Sequence, residues 1–306
     1  MVRSLARLSR NRSNCRLYLS QIYALDRFLS LHRLDLLAKP LLSEMAACEQ
    51  FRFVIPGYSL NRRRFLSIWD VKTRDAIASR IVLRSSVRNF MTIDIDEDKI
   101  HREYLLPDAN ACIVTIGSPR AFKQATETLM HFYYPSCENT YEWKAIGDRP
   151  FFFVWPDRQE AADSPFARST SELTNQSVRN KVEHEKAWAF VICNRDREFD
   201  EYAICRNETH GEPQWLSYAC LCSRWYKDSL QICCLGATGP ATAAVVRCLD
   251  GMTIPEKPDD PDRPGDVVWY AVEALIEGPR NPESEPGDAR KIVRARIISG
   301  PNFWPV

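Results

Sequence analysis

The residues best placed to do chemistry in this sequence lie in two glycine turns. Gly117-Ser118-Pro119-Arg120 follows the apolar run 111–116 (ACIVTI), and Gly236-Ala237-Thr238-Gly239-Pro240 follows the run 230–235 (LQICCL). Each turn closes a run of strand length and opens a helix-like segment. A helix N-terminus presents unpaired N–H donors and partial positive charge, which suits a phosphate or a carboxylate. Gly117 and Gly236 would let a ligand approach the backbone, and Gly239 belongs to the second turn. Ser118 and Thr238 would donate hydroxyls, Arg120 would supply a guanidinium fork, and Thr242 lies in the first helical turn that comes after. These residues also have a plain structural reading. Glycine suits any tight turn, Ser and Thr cap helices, and Pro is common at the first helical position. Neither turn is a G-x-G-x-x-G fingerprint or a G-x4-G-K-[ST] loop, so a standard dinucleotide fold and a P-loop nucleotidase are unsupported.

Carboxylates and thiols supply the remaining candidates. Asp70 and Asp75 stand at the start of a predicted helix, and Asp94, Asp96 and Asp98 end a predicted strand. A carboxylate here could hold a ribose hydroxyl or act as a base, and Asp75 is the candidate catalytic residue. Helix capping and a solvated turn are the plain alternatives. Cys220 and Cys222 would point to one face of a strand, as a metal-ligand or redox pair or as core packing. Cys234, ending a strand before the second turn, is either a nucleophile activated by a helix N-terminus or a packed thiol. Glu183-His184-Glu185 only superficially resembles H-E-x-x-H, and no metal site is expected. There is no G-x-S-x-G elbow. Arg62-Arg63-Arg64 is a basic run in a loop, able to touch an acidic partner.

The elements that must position these groups can be read from periodicity. Residues 15–48 carry Leu and Ile at three- and four-residue steps, which predicts a helical leader broken or kinked near Pro40. Phe51–Ile55 predicts a strand closed by Pro56-Gly57. Trp69–Val87 predicts a helix, and Asn89–Ile95 alternates like a strand. Runs 151–155 (FFFVW), 188–193 (WAFVIC) and 202–206 (YAICR) predict further strands. Residues 157–186 are polar without strong periodicity and read as an insertion or linker. Runs 267–276 and 292–298 predict a final antiparallel pair at a sheet edge. Continuous apolar strands alternating with helices predict an α/β fold. The expectation is an open, mostly parallel Rossmann-like sheet with helices on both faces over residues 50–306, after a basic arm and helical leader over 1–49.

The composition narrows the function classes. The chain has 306 residues with 41 Lys plus Arg against 40 Asp plus Glu, so its charge exerts no global pull on nucleic acid or anionic lipid. No apolar run reaches the roughly 18–20 residues that span a bilayer. The eleven Cys sit mostly in apolar runs, which fits reduced thiols. The first 25 residues are rich in Arg and Ser and lack acids, the composition of an organellar transit segment or of a basic arm. A cytoplasmic location is the default expectation.

The order FRFVIPGY, DANACIVTIGSPR, FFFVW, DEYAICRN and LQICCLGATGPATAAVVRCL resembles an uncharacterised bacterial Rossmann-like α/β domain across about residues 50–250. That domain carries a strand-ending GSPR-type turn and a later Gly-x-x-Gly helix start, and often comes after a regulatory helical segment. Its turn usually continues with Asn-Pro, where Ala121-Phe122-Lys123 stands here. The resemblance implies a nucleotide-type ligand, and it implies no reaction and no cofactor. Three functions are therefore expected to compete. The first is binding of a small phosphorylated or nucleotide-like anion in a regulatory or defence role. The second is an enzyme cleaving such a ligand at its glycosidic bond. The third is a non-catalytic scaffold docking a protein partner through the N-terminal helices.

Overall fold

In the computed structural model, the described residues are 38–60, 63–84, 89–96, 100–101, 110–133, 150–155, 164–173, 175–185, 188–193, 201–204, 214–260, 265–279 and 289–304. The chain divides into two units, residues 1–39 and 40–306. All described elements of the folds below belong to the second unit. The predicted leader and basic arm fall outside the described residues, except for the short helix α1 (Leu41–Ala47), which begins directly after Pro40.

The larger sheet has eight strands. In chain order they are β1 (Gln50–Leu60), β2 (Arg63–Leu66), β3 (Asn89–Asp96), β4 (Ala111–Gly117), β9 (Gln214–Tyr226), β10 (Ser229–Gly236), β11 (Val267–Glu277) and β12 (Lys291–Trp304). Four strands run parallel: β3 beside β1, β1 beside β4, and β4 beside β10. From β10 outward the pairing turns antiparallel, through β9 and β11 to β12. A second sheet has four strands in the order β6-β5-β7-β8. They are β5 (Phe151–Trp155), β6 (Ala167–Ser169), β7 (Ala189–Cys193) and β8 (Glu201–Ile204).

This corrects the Rossmann-like expectation. In these two sheets six pairings are antiparallel and four parallel, so the architecture is mixed and largely antiparallel. Helices alone do not cover both faces of the large sheet either. One face of the large sheet is covered by α1, α2 (Ile68–Val82) and α5 (Gly239–Cys248), with Phe51, Phe53, Val114, Ile232, Val245 and Val272 in that core. The other face is covered by α3 (Lys123–Tyr133) and by the second sheet. The physical reason lies in the runs themselves. A strand buried on both faces reads as continuous apolar sequence whether helices or another sheet cover it.

Rings hold the two sheets together. Phe190 of β7 has its ring 5.2 Å from Phe151 and 5.0 Å from Phe153, and Phe151 lies 5.1 Å from Trp269 of β11. The outer face of the second sheet is closed by α4 (Gln176–Glu185), through Val178 and Val182 against Phe152, Val154 and Val191. From Ser164 on, the stretch expected to be a polar linker is thus a strand, a 3-10 turn and a helix. Two apolar positions one turn apart suffice to seat α4, too few to give a periodic signal.

Two local departures have clear causes. Pro56 does not end β1. It lies between Val54, the last residue paired with β4, and Gly57, the first paired with β2, where a ladder donor is dispensable. The β9–β10 hairpin turns on Lys227 (φ 45°) and Asp228 (φ 63°), the left-handed pair of a two-residue turn made without glycine.

Phe190 tests the ring cluster. Phe190→Ala should cost about 3–5 kcal/mol in urea unfolding, against under about 1 kcal/mol for Phe65→Ala on the surface. Equal costs would show that the sheets are not held by these rings.

Candidate functional site

Parallel pairing of β4 with β10 sets Leu235 beside Gly117, so both glycine turns leave the sheet at one rim. The N-terminus of α2, with Trp69 and Asp70, comes to the same rim against the second turn. The two turns therefore share a rim.

The space at the turns is occupied by the turns' own side chains. A Cβ on Gly117 would lie 2.9 Å from Phe122 Cδ1. At Gly236 a Cβ would meet the backbone N of Thr242 at 2.6 Å and the Thr238 carbonyl at 2.8 Å. At Gly239 it would meet Trp69 Cβ at 2.8 Å. Glycine is required at the second turn for close packing of α5 on its own loop and on α2.

The hydroxyls are spent in the same way. Thr238 caps α5, its Oγ1 accepting from Ala241 N and lying 3.0 Å from Ser217 Oγ. Thr242 Oγ1 donates to the Thr238 carbonyl at 3.2 Å. Ser118 Oγ accepts from Arg120 N at 3.4 Å. The Arg120 guanidinium stands 5.4 Å over the Trp155 ring, and Thr126 Oγ1 donates to the Pro119 carbonyl at 2.8 Å. The first turn is thereby tied to the second sheet.

The carboxylates separate. Asp75 is 60% exposed and paired with Arg74 at 2.7 Å, away from the rim turns. Asp94 is exposed on β3 and Asp96 half-buried, while Asp98 lies outside the described residues. Asp70 is buried, next in sequence to the Trp69 that packs on Gly239. Burial pushes its pKa up to about 7, and a hydrogen bond with Ser67 only partly offsets this. Ser67 precedes α2 and Asp70 lies in its first turn, the positions of a capping box. Sequence alone names both Asp70 and Asp75 and makes Asp75 the candidate catalytic residue, which is the exposed one. The apolar Trp69 beside Asp70 was the signal that this one would be enclosed.

The thiols are packed rather than activated. Cys220 and Cys222 lie 3.6 Å apart at Sγ, and Tyr133 donates its hydroxyl to Cys222 at 3.4 Å. Burial raises Cys220, and it raises Cys234 to about 12, the opposite of what a nucleophile needs. Among the described residues no group of three or more His, Cys, Asp or Glu is placed to hold a metal. His184 and Glu183 lie on α4, where Glu183 pairs with Arg179 at 2.9 Å. Arg63 and Arg64 are part of β2, and Arg62 lies outside the described residues.

The open volume lies elsewhere. A groove of about 630 Å3 runs between α2 and β3, floored by Phe53 and Phe90 and walled by Ala78, Val82 and Leu83, with Arg74, Asp75 and Thr92 at one end. No family model, curated protein or solved structure matches this chain. Sequence alone predicts a helix over Trp69–Val87 and singles out no groove beside it, because Val82 has the apolar character of a buried helix position. It is instead 56% exposed, and Leu83 is 84% exposed.

Two outcomes check this site. Gly236→Ala should destabilise by about 3 kcal/mol, because the obstructing atoms are backbone. For Asp70, the folded state holds its proton more tightly than the unfolded chain. Its contribution is therefore most favourable below the unfolded pKa near 4 and is lost as pH rises to about 7. Between pH 4 and 8 the wild type should lose about 4 kcal/mol relative to Asp70→Asn in urea unfolding. Parallel pH profiles would place Asp70 in contact with water.

Proposed function

We propose that the protein is a non-catalytic scaffold that binds another polypeptide. One observation carries this reading: large apolar side chains of α2 and β3 stand in solvent around the groove. Val82 is 56% and Leu83 84% exposed, with Phe90 half-buried beside them. A contiguous apolar surface of this kind is what a docking face requires. The packing of the rim supports the same reading from the other side. A Cβ at Gly117 would strike Phe122 and one at Gly236 would strike Thr242, so these glycines serve the packing of the corners themselves. Among the described residues no helix is long and apolar enough to cross a membrane.

A small anionic ligand at the rim is the second reading. It is favoured by the two helix-opening turns that meet at adjacent parallel strand ends, with Arg120 above one of them. Thermal-shift measurements with ATP, NAD and ribose 5-phosphate separate the two. A ligand at 100 times its Kd would add about 2.7 kcal/mol of stability. The scaffold reading expects no shift with any of the three, and an Arg120→Ala variant that responds identically. A shift that disappears in Arg120→Ala would overturn it in favour of the anion site.

A further inference from the structure

We infer that the C-terminal ends of α2 and α5 form a binding site for a phosphorylated side chain of a partner polypeptide, held by Arg80, Arg84 and Arg247. This site rests on the scaffold function proposed above and gives the chemistry of one partner.

The fold brings the three arginines together. Both helices start at the rim and pack against each other, so their last turns meet at the far ends. Arg80 and Arg84 stand one turn apart at the end of α2, and Asp250 lies in the 3-10 turn Leu249–Gly251 that follows α5. The Arg80 guanidinium reaches one oxygen of Asp250 at 2.6 Å, and that of Arg84 reaches the other at 3.0 Å. Arg247 comes from the last turn of α5. Its Nη1 donates to the Val293 carbonyl at 3.4 Å, and among the described residues no carboxylate pairs with it. Cys248 senses two of the three. Burial raises its pKa, and the charges of Arg80 and Arg247 both act against that rise. Guanidiniums from different helices therefore act on one sulfur.

Part of this has a plain structural cause. Cations at helix C-termini complement the dipole, and an exposed ion pair is worth at most about 1 kcal/mol. That accounts for each arginine singly. It does not account for three guanidiniums gathered about one carboxylate, which leaves positive charge in excess. Most of their N–H donors have no acceptor among the described residues. The chain as a whole has 41 Lys plus Arg against 40 Asp plus Glu, so the excess is local.

The ligand chemistry follows from the use of arginine. Its planar fork matches the oxygens of a carboxylate or a phosphate two at a time. A phosphorylated side chain carries about −1.5 to −2 charges at pH 7, close to what three guanidiniums and one carboxylate leave unbalanced. A single further carboxylate would not balance them. Asp250 already shows the mode of binding, with one oxygen for each fork. A nucleic acid strand suits the site less. Its charges repeat every ~3.4 Å along the axis and call for a row of cations, whereas these three converge. Leu83 is 84% exposed and next in sequence to Arg84. It offers an apolar contact that a peptide can use and a phosphodiester backbone cannot.

The probes are fluorescein-labelled Gly-Ala-Leu-Gly-phosphoserine-Gly-Leu-Ala-Gly and the same peptide with plain serine. Each is titrated with the full chain at low salt and followed by anisotropy. The phosphopeptide should bind about tenfold more tightly. Arg247→Glu should abolish that preference, and Asp250→Asn, which removes the competing charge, should strengthen it about threefold. Arg179→Glu makes the same charge change on α4 and should leave the preference as it is. These three side chains are at least partly exposed, so the fold should hold, which circular dichroism would verify. Equal affinity for the two peptides, or a preference that survives Arg247→Glu, would overturn the inference. So would a single-stranded oligothymidylate that binds more tightly than the phosphopeptide and is lost in Arg247→Glu, since the arginines would then serve nucleic acid. A free nucleotide lacks the contact with Leu83 and should not raise the melting temperature through this site. Any shift that did come from it would vanish in Arg247→Glu and survive Arg120→Ala. Failure of this site and failure of the scaffold function therefore read out separately.

Discussion

The structure depends on the parallel pairing of β4 with β10. Leu230–Leu235 of one strand lies beside Cys112–Gly117 of the other, and both strands are buried along their whole length. This pairing joins the parallel half of the large sheet, built on β1, to the antiparallel half that runs through β9 to β12. It also fixes where helices can go. A parallel strand needs a crossover, so α2 and α5 return along one face and pack against each other there. The opposite face must be buried by something else. The chain supplies α3 and a separate four-stranded sheet, and the rings of Phe151, Phe153, Phe190 and Trp269 fill the gap between the sheets. Burial of a large sheet on both faces is thus met by helices on one side and strands on the other.

The same pairing explains why the rim is closed. Two adjacent strands end together, and each hands the chain to a helix that must start within a few residues. With so little chain, α5 has to begin almost on top of β10, which leaves room for no atom beyond hydrogen at Gly236 and Gly239. The residues that look like a ligand cradle in sequence are those a tight strand-to-helix corner needs for itself. Thr238 serves as the cap, Thr242 folds back onto it, and Arg120 lies across Trp155 rather than toward an open space. The pattern of glycine, hydroxyl and guanidinium fits a corner packed against its neighbours as well as it fits an anion site. Residue type and spacing cannot separate the two, because the difference lies in which side chain occupies the last few ångströms.

How much could be read in advance depends on the range of each interaction. Strand character in β4, β5, β7 and β10 is local, written in unbroken apolar runs. The helix α5 is equally local, marked by its cap and its small apolar residues. Partner choice among strands is not local. FFFVW and ACIVTI have the same texture, yet one lies in the second sheet and the other in the first. The hairpin between β9 and β10 carries Lys227 and Asp228 where a glycine would have announced the turn. The helix α4 is held by Val178 and Val182 alone within a polar stretch. The candidate carboxylates divided for a similar reason. Asp70 and Asp75 differ by five positions on one helix, yet the first is 4% exposed and the second has a side chain 60% exposed, a difference set by what packs on each face of α2.

Exposure on α2 has a related cause. A helix lying over the last strands of a sheet can bury only the stripe that has strand beneath it. Among the described residues no strand lies beyond β3, and Val82, Leu83 and Phe90 stand beside that edge. Apolar residues at such an edge cost solubility unless the sheet is continued. The chain keeps them beside a strand whose far end bears Asp94 and Asp96, and charged residues on an edge strand discourage indiscriminate pairing.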